Sequence, residues 1–254
     1  MFYYGINVIY PTMVNVFYIT PKTTRGEQLA LSLPGNIGLV FGACLLIGLG
    51  DVFRHYKITL AISWSGMVLF GGLMALVTPY NKGMMIAFAF LMQTCFGWAQ
   101  YLSIAFTQLG VHQHDLGVSG GLAGVARYAG GSLAQAIYVS ILANTQASRA
   151  AITVPAAAIQ AGADQTTASA LLAAIPLGSE AIAKVPGITN EIVGAAAEAF
   201  KWSYAHGLKM TALASLSFGF VGLILVLLCE NIDKKMGEST PSQIEMQCCA
   251  NRPN

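Results

Sequence analysis

The stretch Gly117-Val-Ser-Gly-Gly-Leu-Ala-Gly-Val-Ala-Arg127-Tyr-Ala-Gly-Gly-Ser-Leu-Ala-Gln-Ala-Ile-Tyr-Val-Ser-Ile141 is long enough to cross a bilayer as a helix. Its only charge, Arg127, sits near the middle. At helical spacing Gly117, Gly121, Gly124 and Gly131 share a face with Arg127, with Gly130 beside them, while Leu122, Val125, Leu133 and Ile137 lie elsewhere. Small residues on such a helix let another backbone come close. An arginine in hydrocarbon costs at least ~2.5 kcal/mol, so Arg127 must face protein, water or a ligand. Two readings stay open for it: a guanidinium locked to helix-end carbonyls, or a group that serves transport.

The rest of the chain repeats the same solvent logic. Of 254 residues, 55% are hydrophobic and 9% charged, far below the ~25% charge of soluble domains. The apolar residues come in blocks of spanning length, so the fold class is an all-α membrane protein. Six segments qualify as spans: about 1–19, 31–51, 58–79, 84–109, 117–143 and 205–229. A formal net charge of +2 does not point to nucleic acid as a partner. The lipid bilayer is the expected surround. The start, Met1-Phe-Tyr-Tyr-Gly-Ile-Asn7, lacks a basic leader and a small-residue cleavage site, so it reads as a span and not as a signal peptide.

Several spans carry polar faces. In the first, Tyr4, Asn7, Pro11, Asn15 and Tyr18 recur at steps of three or four, a stripe that suits either helix packing or a cavity wall. In the fourth, Gln93, Gln100 and Thr107 are seven apart, as are Thr94, Tyr101 and Gln108. Such a face needs water, a substrate or a polar neighbour, and a cavity wall is the expectation. The second span, with Gly35, Gly42, Gly48 and Gly50, is built for close contact. It ends at Asp51-Val-Phe-Arg54-His-Tyr-Lys57, an acidic-basic turn between two spans. The third and sixth spans are apolar nearly all round.

The loop His112-Gln-His114-Asp115 supplies three possible ligands where a closed zinc site takes four, so no metal or other cofactor is expected. The five cysteines, at 44, 95, 229, 248 and 249, form neither a disulfide framework nor a zinc spacing. No catalytic pair sits within the spans, so the chain is not read as an enzyme. Every Asp and Glu falls in a loop, the tail or a membrane edge, which leaves Arg127 without a deep acidic partner.

Residues 144–202 read as a long alanine-rich loop too polar and interrupted to span, with short helices at Thr166–Ala174 and Thr189–Phe200 and Thr189 as an N-cap. Trp202 and Tyr204 are expected at a membrane interface. Residues 1–235 form the bundle with its loop, and 236–254 a disordered cytoplasmic tail. Six spans put both termini on one side. Arg54, Lys57, Lys234, Lys235 and Arg252 lie on that side against Lys22, Arg25 and Lys82 on the other, which places both ends in the cytoplasm and the long loop outside.

The run Arg127-x-x-Gly130-Gly131-x-x-x-x-Ala136-Ile137-Tyr138-x-x-Ile141, the later Val185-Pro-Gly-Ile-Thr189 and the ending Ser217-Phe-Gly219…Asp233-Lys-Lys-Met236 resemble a known family. It is the fungal trichothecene efflux pump and siderophore-iron transporter branch of the major facilitator superfamily. The turn from Asp51 to Lys57 resembles that superfamily's loop motif, with Val52 and Phe53 departing from it. The resemblance implies about twelve to fourteen spans in two six-helix halves around a central cavity, with alternating access at a midplane site. It makes this chain the C-terminal half, completed by a missing N-terminal half or a second copy.

The expectation is therefore a plasma-membrane secondary transporter of a hydrophobic metabolite or toxin, or of a ferric siderophore. Arg127, Gln100, Tyr101, Asn7 and Asn15 are expected to face the small-molecule substrate. Gly117, Gly121, Gly124, Gly130, Gly131, Asp51 and Arg54 are expected to serve packing and gating. The alternative is a truncated, non-transporting fragment that acts only as an interaction partner.

Overall fold

The computed structural model describes residues 2–19, 23–50, 52, 53, 55–109, 111 and 113–231, and for 2–8, 109, 113, 179 and 180 only the backbone. These residues are helical almost throughout. The helices are α1 (Phe2–Tyr18), α2 (Arg25–Leu49), α3 (Tyr56–Leu73, prolonged by a 3-10 turn Met74–Leu76), α4 (Lys82–Leu109), α5 (Leu116–Gln160), α6 (Gln165–Ala174), α7 (Ser179–Ala183) and α8 (Asn190–Leu228). Asp51, Arg54 and the expected tail 236–254 lie outside the described residues.

Each boundary has a local cause. At the start of α2, the Thr24 hydroxyl accepts from the Glu27 amide while the Glu27 carboxylate accepts from the Thr24 amide. This reciprocal cap satisfies two donors that a helix start leaves free. Helix α8 starts as its sequence suggests, with the Thr189 hydroxyl accepting from the Ile192 amide. Helix α5 stops at Gly162, whose φ of +95° only glycine adopts without penalty. There the Ala163 amide donates back to the Ala158 carbonyl at 2.9 Å, a six-to-one closure.

Among the described residues, four helices are long and apolar enough to cross a membrane: Arg25–Leu49, Tyr56–Leu76, Lys82–Gln108 and Asn190–Leu228. Of the six expected spans, α1 and α5 fall outside this set. Helix α1 has 17 described residues, and α5 is diluted by its glycines, serines and Arg127. The larger correction concerns residues 144–202. The expected Thr166–Ala174 helix is present as α6, but α5 runs on to Gln160, and the expected Thr189–Phe200 helix is continuous with the last span, as α8. At 1.5 Å per residue the 45-residue α5 is about 67 Å long, roughly twice the hydrocarbon thickness.

Two cores follow. In the bundle, Ile9, Tyr10, Met13, Val14 and Phe17 form the buried stripe of α1 and meet Tyr138 and Leu142 of α5 and Tyr204 and Leu208 of α8. Tyr204 is only 2% exposed and stands edge-on to Phe17, so it belongs to this core and not to an interfacial belt. Beyond the bundle, Ala150, Val154 and Ala158 of α5, Ala168 and Leu171 of α6, and Ile192 and Ala196 of α8 pack into a second core. Fully burying side chains such as Val154 and Leu171 contributes about 1.5–3 kcal/mol each, which helps hold the helical extensions together.

Successive helices run in alternate directions. Helices α5 and α8 are antiparallel, Leu142 against Gly207 and Thr153 against Ser203. Lys201 donates to the Phe17 carbonyl at 3.2 Å, so the end of α1 lies where α8 enters the bundle. Arg149, Lys201 and Lys209 thus join Arg25 and Lys82 at one end, which narrows the charge difference that the short loops suggest. Helices α2 and α4 touch backbone to backbone. A Cβ on Gly42 would collide with the Thr94 carbonyl, and one on Gly97 with that of Leu39.

Candidate functional site

Helices α4 and α5 diverge around a cleft of about 550 Å³. Positions 96, 99, 100, 103 and 107 of α4 form one wall, and positions 119, 122, 123, 126, 127 and 130 of α5 face them, both sets at steps of three or four. The Ser119 hydroxyl donates to the Thr107 carbonyl at 3.1 Å and ties the two helices at one end. Trp64 closes the cleft from α3, and its indole donates to the Gly219 carbonyl of α8 at 3.2 Å.

Within the cleft the Gln100 amide lies against the Arg127 guanidinium, and with its oxygen assigned to that side, the orientation the donors require, it accepts from Nη1 and Nη2 at 3.0 and 3.1 Å. The forked donors are thereby oriented by a neutral acceptor, without cancelling their charge. Among the described residues no carboxylate pairs with Arg127. The remaining donors of the guanidinium are free for an oxyanion or a polarised carbonyl. Phe96, Ile104 and Leu122 give the walls apolar surface, while Gln100, Ser103 and Thr107 supply polar groups. A cavity of this size with few convergent polar groups suits an organic small molecule.

The other expected site residues are not gathered there. Tyr101 follows Gln100 by 100° on the helix and turns away, 49% exposed, towards a separate groove with Leu46, Ile47 and Tyr56. Asn15 lies on the exposed side of α1, opposite the buried stripe. Asn7 is within α1, and its side chain is outside the described residues, as are Asp51 and Arg54. The two polar rows of α4 therefore diverge: Gln100 and Thr107 face α5, while Tyr101 faces the end of α2. Gln93, higher in the first row, is buried against Gly35 and Gly38 of α2, with its side-chain oxygen unpartnered.

Most glycines of α5 have open space beside them. No atom of the described chain lies within 4 Å of a Cβ placed on Gly117, Gly121, Gly124 or Gly130, whereas Gly131 is buried. Gly121, Gly124, Val125, Tyr128 and Ser132 instead line a shallow groove open to the surroundings. Close backbone contact within this chain is made by Gly38, Gly42 and Gly97 instead. Ser103 and Ser119 escaped sequence reading, although Ser103 sits one turn from both Gln100 and Thr107.

The model of the fungal trichothecene efflux pump family (TRI12) matches residues 2–252. The chain belongs to that family. The MFS-type transporter prx5 of Penicillium rubens is 42% identical over 236 residues, which cover 93% of this chain and 43% of that protein. The trichothecene efflux pump TRI12 of Fusarium sporotrichioides is 25% identical over 239 residues, again 93% of this chain and 40% of that protein. The chain thus spans less than half the length of these curated relatives. No solved structure matches it. Membership of an efflux-pump family, together with its apolar helices, makes it an integral membrane protein.

Proposed function

We propose that this chain is one half of a secondary active transporter in which α1 to α5 and α8 are the six spans of a half major facilitator fold. The other half, an N-terminal portion or a second copy, covers the open face of α5. The transporter moves a hydrophobic metabolite or toxin, or a ferric siderophore, by alternating access about a midplane cavity. The observation that carries this reading is the Arg127–Gln100 pair, a charge held in a mostly apolar cleft without an acidic partner. Arg127 takes an electron-rich oxygen of the substrate, Gln100 holds the guanidinium fork in place, and Phe96, Ile104 and Leu122 contact the apolar body.

The chain has no catalytic role in this reading. It resides in the plasma membrane with both termini in the cytoplasm, and the α5–α8 extension is external. Transport of a candidate substrate by the full two-half protein tests the assignment. Replacing Arg127 with Ala removes a charge-assisted bond of roughly 1.5–3 kcal/mol, so transport falls about tenfold or more, and Arg127→Lys recovers part of it. Unchanged transport by Arg127→Ala at normal membrane abundance would overturn the site.

A second reading follows from coverage of only 43% and 40% of the relatives. In it the chain is a non-transporting fragment that binds another transporter through the same open face. An antibody against residues 236–254 separates the two. A native band near twice 26.8 kDa or above supports the two-half transporter, and one at 26.8 kDa supports the fragment or a homodimer.

A further inference from the structure

Where α5 and α8 leave the bundle they flank a second cleft, of about 480 Å³, floored by residues Ala75 to Thr78. Arg149 lines it from α5, and His206 and Lys209 line it from α8. The Thr153 and Ser203 hydroxyls, 2.8 Å apart, fix the register that sets these basic groups on one cleft. The nearby charges are otherwise engaged. Glu198 accepts from the Tyr80 hydroxyl, and Lys201 donates to the Phe17 carbonyl. Among the described residues no carboxylate pairs with Arg149, His206 or Lys209.

The height of the cleft is set by composition. Lys209 immediately precedes the apolar run Met210–Leu228. Trp202, 47% exposed, and Leu76, 57% exposed, line the same cleft. Tryptophan beside Lys and Arg, whose stems lie on apolar walls while their heads remain polar, is the arrangement of the headgroup zone. Lys and Arg heads at that level attract the phosphates of lipid headgroups by charge. A free anion would use the charges but not the exposed apolar lip of Leu76 and Trp202.

We propose that this cleft, between α5, α8 and the Ala75–Thr78 floor, binds the phosphate of an anionic phospholipid. The Arg149 guanidinium and the Lys209 ammonium take the phosphate oxygens, and Leu76 and Trp202 lie along the start of the acyl chains. The site is separate from the Arg127 cleft and does not depend on transport.

The test is lipid retention by the purified chain, read by native mass spectrometry with phosphatidylserine or phosphatidylcholine of identical acyl chains. Phosphatidylserine is retained over phosphatidylcholine. The Arg149→Gln/Lys209→Gln double variant loses this retention about 30-fold, roughly fivefold per charge. The Arg149→Lys/Lys209→Arg variant and the control Lys82→Gln keep it. Circular dichroism checks that the double variant remains helical, and if it does not, single Lys209→Gln provides the readout with a fivefold loss. Unchanged retention in the neutral variants, or equal retention of both lipids by the native chain, overturns the proposal. Displacement of the lipid by millimolar inorganic phosphate also overturns it, since the ligand is then a soluble anion.

Discussion

Gly42 and Gly121 both lie in segments expected to span, yet their surroundings differ completely. A methyl on Gly42 meets the Thr94 carbonyl, whereas one on Gly121 meets open space. Gly42→Ala is therefore expected to cost about 1–3 kcal/mol through forced separation of α2 and α4. Gly121→Ala should gain about 0.5–1 kcal/mol by helix preference in this chain alone. Thermal unfolding of the purified chain in detergent ranks the two, and the reverse order would refute the packing described. Residue types in the sequence could name both glycines as close-contact positions but could not tell which had a partner within the chain. Arg127 and Gln100 were legible for better reasons, one as a costly charge and the other as a member of a seven-residue polar row. Tyr101 was not separable from Gln100 by that row. One residue of rotation carries it onto another face, and only the position of α5 shows which face has the cleft.

The helices outlast the membrane, and their lengths were the least legible property. The stretch from Ser148 to Ala161 is rich in alanine, the strongest helix former, but judged by hydropathy it looked like an interruption. Gln160-Ala-Gly162-Ala-Asp164 was the stop signal, with a left-handed glycine followed by the Asp164 cap. Thr189 was readable because its cap is local. Replacing it with Ala should cost about 1 kcal/mol and speed amide exchange in the first turns of α8, leaving the exchange of α2 and α4 unchanged. Leu171→Ala, in the core of the extension, should cost about 2–5 kcal/mol and melt α6 without dispersing the bundle. Loss of the whole fold on that substitution would show that the two cores are not separable.

Acid also acts at this scale. The hydroxyl of Thr166, and then the amide of Gln165, hold the Asp164 carboxyl below its ordinary value. A depressed folded value means that the contribution is complete above the ordinary carboxylate value and disappears as pH falls through the depressed one. The Asp164 titration followed by NMR should accordingly move to higher pH in Thr166→Val. No movement would mean that the hydroxyl is not the cause.

For the whole molecule, hydropathy located the apolar blocks, because solvent dictates them regardless of tertiary detail. Helix α1 has 17 described residues and α5 is rich in small and polar residues, so among the described residues four helices meet a strict length-and-hydropathy test. The open glycine face of α5 is where the proposed other half would pack. Gly121→Leu should leave the helicity and stability of the isolated chain nearly unchanged and should abolish transport in the two-half protein. A variant that transports normally would show that the open face of α5 meets lipid, not another protein surface.

The length of α5 has a mechanical consequence. Residues 144–160 prolong the helix by about 25 Å past the expected end of its span, and their packing on α6 and α8 makes the projection stiff. Such a projection is a lever. A rocking of the bundle by about 15°, too small to displace any residue near the pivot by more than a bond length or two, sweeps the far tip through roughly 7 Å. If the proposed alternating access operates, a distance label at the Gly162 corner would thus amplify a motion that is hard to see at the cleft, and an antibody fragment clamped there would act on that motion with the same mechanical advantage.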